Sequence, residues 1–181
     1  LIQEQLAEGQ RSQLQRLLAD ITALQMAPEI RAEIHLLAAI SAESFRELHD
    51  QISHILETPD LPADKMLSAV ARDYLKFAIE NPQRFKLMFS NNIGEEHDYP
   101  ELTASTSSTF NLLKELVQKC QEEGVLKPGP RDAVAVALWS LVHGFLSLYL
   151  ENQFSHQVLD QIDLHELLDQ SISQIMPDKN H

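Results

Sequence analysis

The chain has 181 residues, 27 of them acidic against 14 basic, a formal net charge of −13 with histidine neutral, and 44% apolar residues. That apolar share supports a packed core and excludes a disordered chain, while the acidity excludes a body that binds polyanions by charge alone. A single cysteine excludes a disulfide framework and a cysteine-based zinc cluster, which fits a reducing cytoplasm.

Helical periodicity dominates, alternating strand patterns are absent, and the expected fold class is all-α. Eight prolines punctuate the sequence, and between them helices are expected at roughly 1–25, 29–57, 63–80, 83–91, 103–123, 131–153 and 163–176. Pro59-Asp60-Leu61-Pro62 is a break, with Pro62 and Asp64 suited to open the next helix. Ser90 to Pro100 reads as a loop, the segment expected to move most. No consecutive apolar run reaches the roughly 18 residues of a membrane span. A soluble protein without a membrane partner is therefore expected. Nothing at Leu1 resembles a signal peptide, and a start other than Met leaves an upstream N-terminus open.

Charge is divided unevenly. Residues 1–40 hold Arg11, Arg16 and Arg31 against five acids, a net of −2, and residues 41–181 hold a net of −11. The acidity belongs to the body.

The most informative stretch runs from Arg131 to Asn152. At 3.6 residues per turn, Ala135, Leu138, Val142, Phe145 and Tyr149 share one face. Trp139, His143, Leu146 and Leu150 share a second face. The third holds Ala133, Ala137, Ser140, Leu141, Gly144 and Leu148. A helix this apolar all round needs cover on nearly every side. Its small residues suit either a subunit interface or a tight crossing within one chain. The last helix is amphipathic, with Leu164, Leu167, Leu168, Ile172 and Ile175 in one stripe and Asp163 as N-cap. Two such helices at a chain's end suit a four-helix bundle with their symmetry mates. Leu141, Gly144, Leu148, Leu164, Leu168 and Ile172 are the candidate interface residues.

The run Leu138-Trp139-Ser140-Leu141-Val142-His143-Gly144-Phe145 resembles the Trp-x-x-x-His-Gly signature of TetR-family transcriptional regulators with a WHG-type C-terminal domain. Upstream, Tyr74-Leu75-Lys76-Phe77-Ala78-Ile79-Glu80-Asn81-Pro82, followed by Met88-Phe89, is similar to another stretch of that family. Glu122-Glu123-Gly124-Val125-Leu126 sits where the family turns into its penultimate helix. Order and spacing hold from about residue 36 to 176. The resemblance implies an all-helical homodimer with an N-terminal helix-turn-helix head. It also implies an effector pocket in the body and a dimer interface made by the last two helices. Effector binding would shift the spacing of the two heads and release operator DNA, a coupling of two distinct sites. Residues 1–44 occupy the head's position, and residues 45–181 form the effector-binding and dimerisation domain.

The head departs from the family pattern. Asp20-Ile21-Thr22 stands in place of a glycine turn, Ala27 to Arg31 replaces the expected aromatics, and no aromatic residue precedes Phe45. A diverged head, a head that has lost DNA binding and a sequence record imperfect in this stretch all remain open. No DNA-contact residues are assigned.

Trp139 and His143 lie one helical turn apart, so they can line one cavity wall or form an ordinary core pair. Tyr74, Phe77, Phe89 and Phe110 join them as pocket candidates, although core packing uses the same residue types. Glu95, Glu96, His97 and Asp98 offer metal-capable groups, but no second cluster accompanies them and an acidic loop is the better reading. Cys120 reads as structural rather than reactive. Ser140 and His143 lack a third catalytic partner, and Gly-rich phosphate motifs are absent. No catalytic role, metal or cofactor is expected. The sequence points to a ligand-responsive repressor with operator DNA, a small apolar or aromatic effector and its own copy as partners. The alternative is a module of the same descent that no longer engages DNA.

Overall fold

The computed structural model describes residues 14–16, 28–90 and 99–177, and from Pro28 onward these form seven helices. No strand occurs among the described residues. The expected helix over 1–25 and the acidic cluster at 95–98 lie outside them, apart from a helical turn at 14–16.

Helix α1 (Pro28–Leu56) starts on a proline, whose missing N–H is no loss in a first turn, with Glu29 beside it favoured by the helix dipole. Its apolar positions Ala38, Ala42, Phe45, Leu48, Ile52 and Ile55 recur every three or four residues and are buried. Asp60 at φ 57°, after Pro59, turns the chain out of it. The expected head–body division after residue 44 falls inside this helix. Burial begins earlier, at Ala38; of residues 28–37 only Ile34 and Leu37 are even partly covered. Residues 28–33 are exposed, and contact with the body begins at Ile34 and at His35, whose ring meets Tyr99 edge-on at 5.4 Å.

Helix α2 (Ala63–Glu80) is the central element, with Met66, Leu67, Leu75, Phe77 and Ala78 almost fully buried. Pro62 supplies no side-chain cap; Glu123 Oε2 reaches across the fold and accepts from the Ala63 N–H at 2.9 Å. Pro82 ends this run and begins the short α3 (Pro82–Met88). Helix α4 (Pro100–Glu122) also starts on a proline, and it closes at Gly124 with φ +71°, where Val125 N–H donates to Cys120 O at 2.7 Å. Cys120 is fully buried with its Sγ–H directed at Ala63 O. Burial, Glu123 and Asp64 push the thiol up to about 12, against the opposing pull of Lys119.

Helix α5 (Arg131–Leu150) follows Pro128-Gly129-Pro130 and ends at Asn152, which takes φ 54°. A short helical turn, α6 (His156–Leu159), was not expected from the sequence. Helix α7 (Leu164–Ser173) is capped by Asp163, whose carboxylate accepts from the N–H groups of His165 and Glu166 at 2.9 and 3.3 Å.

α1 packs chiefly on α4 and also on α2 and α3; α5 lies on α2, α4 and α7, and α7 reaches back to α2. Arg84 of α3 ties to α1, with Nε donating to Ser44 Oγ at 3.0 Å and the guanidinium 2.7 Å from Glu47. Arg72 of α2 pairs with Asp169 of α7.

α5 is long and apolar enough, by length and composition, to cross a membrane, which corrects the expectation that no segment is. Counting consecutive apolar residues stops at Ser140, His143 and Gly144, whereas the average over the helix does not. Its buried face, Ala135, Leu138, Val142, Phe145 and Leu146, packs into the same body that carries the exposed Arg72–Asp169 and Lys86–Glu151 pairs.

Candidate functional site

Five helices converge on an apolar cavity of about 350 Å³. α1 contributes Phe45, Leu48 and Ile52, and α2 contributes Leu67, Val70, Ala71 and Tyr74. The end of α3 gives Met88 and Phe89, and α5 gives Leu138, Trp139 and Val142. α4 closes the remaining wall with Thr106, Thr109, Phe110, Leu113 and Leu116. Among the described residues no charged side chain lines it. Apolar walls with a few placed hydroxyls are the usual make-up of small-molecule sites.

Of the six candidate pocket residues, Tyr74, Phe89, Phe110 and Trp139 line this cavity. Their rings form a chain: Phe110 meets Trp139 edge-on at 6.2 Å between centroids, and Trp139 lies 6.1 Å from Phe89. Trp139 is 39% exposed, so it stands at the mouth. His143 is not in the wall. It stands behind it, stacked on Phe85 at 5.2 Å and edge-on to Phe89 at 4.3 Å, with Nδ1 3.1 Å from the Tyr74 hydroxyl. Phe77 is not in the wall either: it is 2% exposed and lies beneath the Arg84 guanidinium at 5.4 Å. Tyr74 and Phe77 are three positions apart and so neighbours on α2, and it is packing against Arg84 that keeps the second ring out of the cavity.

Burial lowers the His143 pKa, so the ring is neutral. Burial raises the Tyr74 phenol well above its ordinary value of 10, and the nearby Trp139 indole opposes this only in part. The phenol therefore keeps its proton. The Tyr74 hydroxyl and His143 Nδ1 are joined at 3.1 Å, in a sense set by the imidazole tautomer.

Sequence reasoning missed the α1 wall and the two threonines. The α1 residues belong to a stripe that reads as ordinary core. Thr106 and Thr109 sit in the run Thr103 to Thr109, whose hydroxyls bond back to the helix carbonyls; Thr109 Oγ1 also donates across to Phe45 O of α1 at 3.0 Å. A polar run on a helix that also carries Leu102, Leu113 and Leu116 was the available signal.

The six candidate interface residues divide. Leu168 and Ile172 are 0% and 2% exposed within one protomer, so their side chains are out of a partner's reach, a correction to the expected interface. The reason is that α7's stripe faces α2 and α5. Leu148 is 48% exposed, and Leu141, Gly144 and Leu164 are half-buried. Ala133, Val136, Ala137 and Ser140 continue the open face of α5.

These features define a helical body built around an apolar cavity, and the comparisons give its family. The family model described as tetracyclin repressor-like, C-terminal domain, matches residues 67–175, and the chain belongs to this TetR family. A bacterial regulatory protein of the tetR family from Rhodococcus RHA1 shares the fold at a TM-score of 0.62 and 16% identity, over 87% of this chain and 84% of that one. A protein with unknown function from Rhodococcus sp. RHA1 aligns at 0.65 and 19% identity, over 79% of this chain and 74% of that one. No curated protein matches the chain.

Proposed function

We propose that this chain is a ligand-responsive transcriptional regulator of the repressor type. In this reading it acts in the cytoplasm as a homodimer with a WHG-type body, binding operator DNA through the segment that precedes the packed part of α1. A small apolar or aromatic effector in the cavity switches it, meeting Tyr74, Phe89, Phe110 and Trp139. The observation that carries the reading is the double role of α1. The same helix gives Phe45, Leu48 and Ile52 to the cavity and runs on through the exposed residues 28–33. Filling the cavity bears directly on the helix that leads to the head position, which is the physical link a two-site coupling needs.

The open face of α5 supports pairing with a second copy. From Ala133 to Leu150 no residue is charged, in a chain of net charge −13. Two such acidic chains approach with least repulsion through that face. Among the described residues the site holds no acid–base pair and no nucleophile with a base that would support an enzymatic reading.

The test is a gel shift of the full chain on the promoter region beside its own gene, across a salt series. Tight, salt-sensitive binding is expected. Binding no better than to random DNA at low salt would instead support a module that has lost DNA binding, the reading favoured by the absence of aromatic residues before Phe45.

A further inference from the structure

Arg84 stands on the short helix α3 and meets two other helices at once. Its Nε donates to Ser44 Oγ of α1 at 3.0 Å, and its Nη2 lies 2.7 Å from Glu47 Oε2, one turn further along the same helix. The guanidinium also lies over the Phe77 ring of α2, 5.4 Å from its centre. The hydroxyl it meets has little freedom. Ser44 is fully buried and donates its own proton to Ile40 O at 2.7 Å, so it offers Arg84 a lone pair in a fixed place.

The same helix ends in the cavity wall. Met88 and Phe89 follow Arg84 by four and five positions and line the cavity. Phe85, beside Arg84, is buried and meets the Phe89 ring at 5.5 Å between centroids. Seven residues packed this closely shift as one piece, so a ligand that presses on Met88 or Phe89 displaces Arg84 with them. α1 meets the cavity in two ways. Phe45, Leu48 and Ile52 touch it through apolar contact, which is non-directional. The Arg84 fork holds one geometry, and a shift of α3 carries along the α1 backbone that it grips.

We infer that Arg84 is a positioning residue of the switch: it fixes α3, and with it the Met88–Phe89 wall, to α1 at Ser44 and Glu47, so that filling the cavity restrains α1 on the side of the head position. This rests on reading the cavity as the effector site, and it adds the side chain that passes the effect on.

The experiment follows backbone amide exchange of the full chain by mass spectrometry, with and without N-phenyl-1-naphthylamine, an uncharged aromatic probe whose emission rises in apolar surroundings. In the parent the probe should brighten and slow exchange about fivefold at residues 45–56, which meet the cavity, and at residues 34–43, on the head side of the clamp. Arg84→Met keeps an unbranched side chain over Phe77 and leaves Glu47, already 39% exposed, to water, so the fold should stand. In that variant probe affinity and the effect at 45–56 should persist, while the effect at 34–43 should vanish. Ser44→Ala removes the acceptor of Nε and keeps the Glu47 pair; the same loss is expected, and this variant carries the test where Arg84→Met does not fold. An effect at 34–43 that survives in either folded variant overturns the inference, as does a parent in which the probe alters 45–56 alone. A probe that leaves exchange at 45–56 of the parent unchanged, whether or not it brightens, defeats the cavity reading itself, and the inference with it.

Discussion

α5 and α7 lie side by side, yet they present their apolar side chains in opposite ways. α7 carries a narrow stripe, and the protomer uses it up: Leu168 and Ile172 are buried against α2 and α5. α5 is apolar around its circumference, and one protomer covers only part of it. Leu138, Val142 and Leu146 face the core, while Val136 and Leu148 remain 47% and 48% exposed. The difference teaches that apolar content alone does not identify an interface. A stripe about as wide as one neighbour is consumed at home; only the excess beyond it is available to a partner.

Substitutions on the two helices break or sharpen this contrast, and the largest effect belongs to α7. Leu168→Glu places a carboxylate where no water reaches and should cost more than about 4 kcal/mol, leaving little folded protein by circular dichroism. A variant that melts like the parent would show that α7 is not held as described. Leu148→Glu should keep the parent's helix content, because the side chain already meets solvent in the protomer, and lose self-association in sedimentation.

A smaller effect is expected at the inner edge of α5. His143 is held neutral by burial, so its folded pKa lies below the ordinary value of 6.5. An unfolded chain then binds the proton first as pH falls. The stability this imidazole contributes is present above pH 6.5 and is lost on acidification toward its folded value. Urea unfolding from neutral to mildly acidic pH should show a shallower loss in His143→Gln, whose amide oxygen can still accept from Tyr74. Equal slopes would place His143 in water instead.

The smallest effect separates the helix from its partner. A Cβ added at Gly144 meets nothing within 4 Å in the protomer. Gly144→Ala in the Leu148→Glu background should therefore gain about 0.8–1 kcal/mol of stability from helix propensity. In the otherwise unchanged chain the same methyl should weaken association, because it enters the contact where the helices approach. Identical gains in both backgrounds would mean that no partner lies over Gly144.

Much of this was legible in the sequence. Pro28, Pro62, Pro82, Pro100 and Asp163 mark helix starts, because each has a local physical role that tertiary packing does not override. Tyr74 and Trp139 could be placed in one pocket from their residue types and the family resemblance. The side of a helix was harder. Phe77 and Tyr74 belong to the same apolar helix, and only the position of Arg84 and α1 decides which ring faces the cavity. Leu168 and Leu148 likewise look alike in one dimension, since burial depends on where α2 lies. Thr109 was invisible for another reason: its role comes from a bond to Phe45, 64 residues away.

The central claim is that the uncharged outer face of α5 is covered by a second copy of the chain. Sedimentation equilibrium of the unmodified protein tests it most directly. A mass about twice the 20.5 kDa of one chain is predicted, falling to the single-chain value in Leu148→Glu. A parent that sediments at 20.5 kDa over the accessible concentration range, or a variant that stays paired, would contradict it.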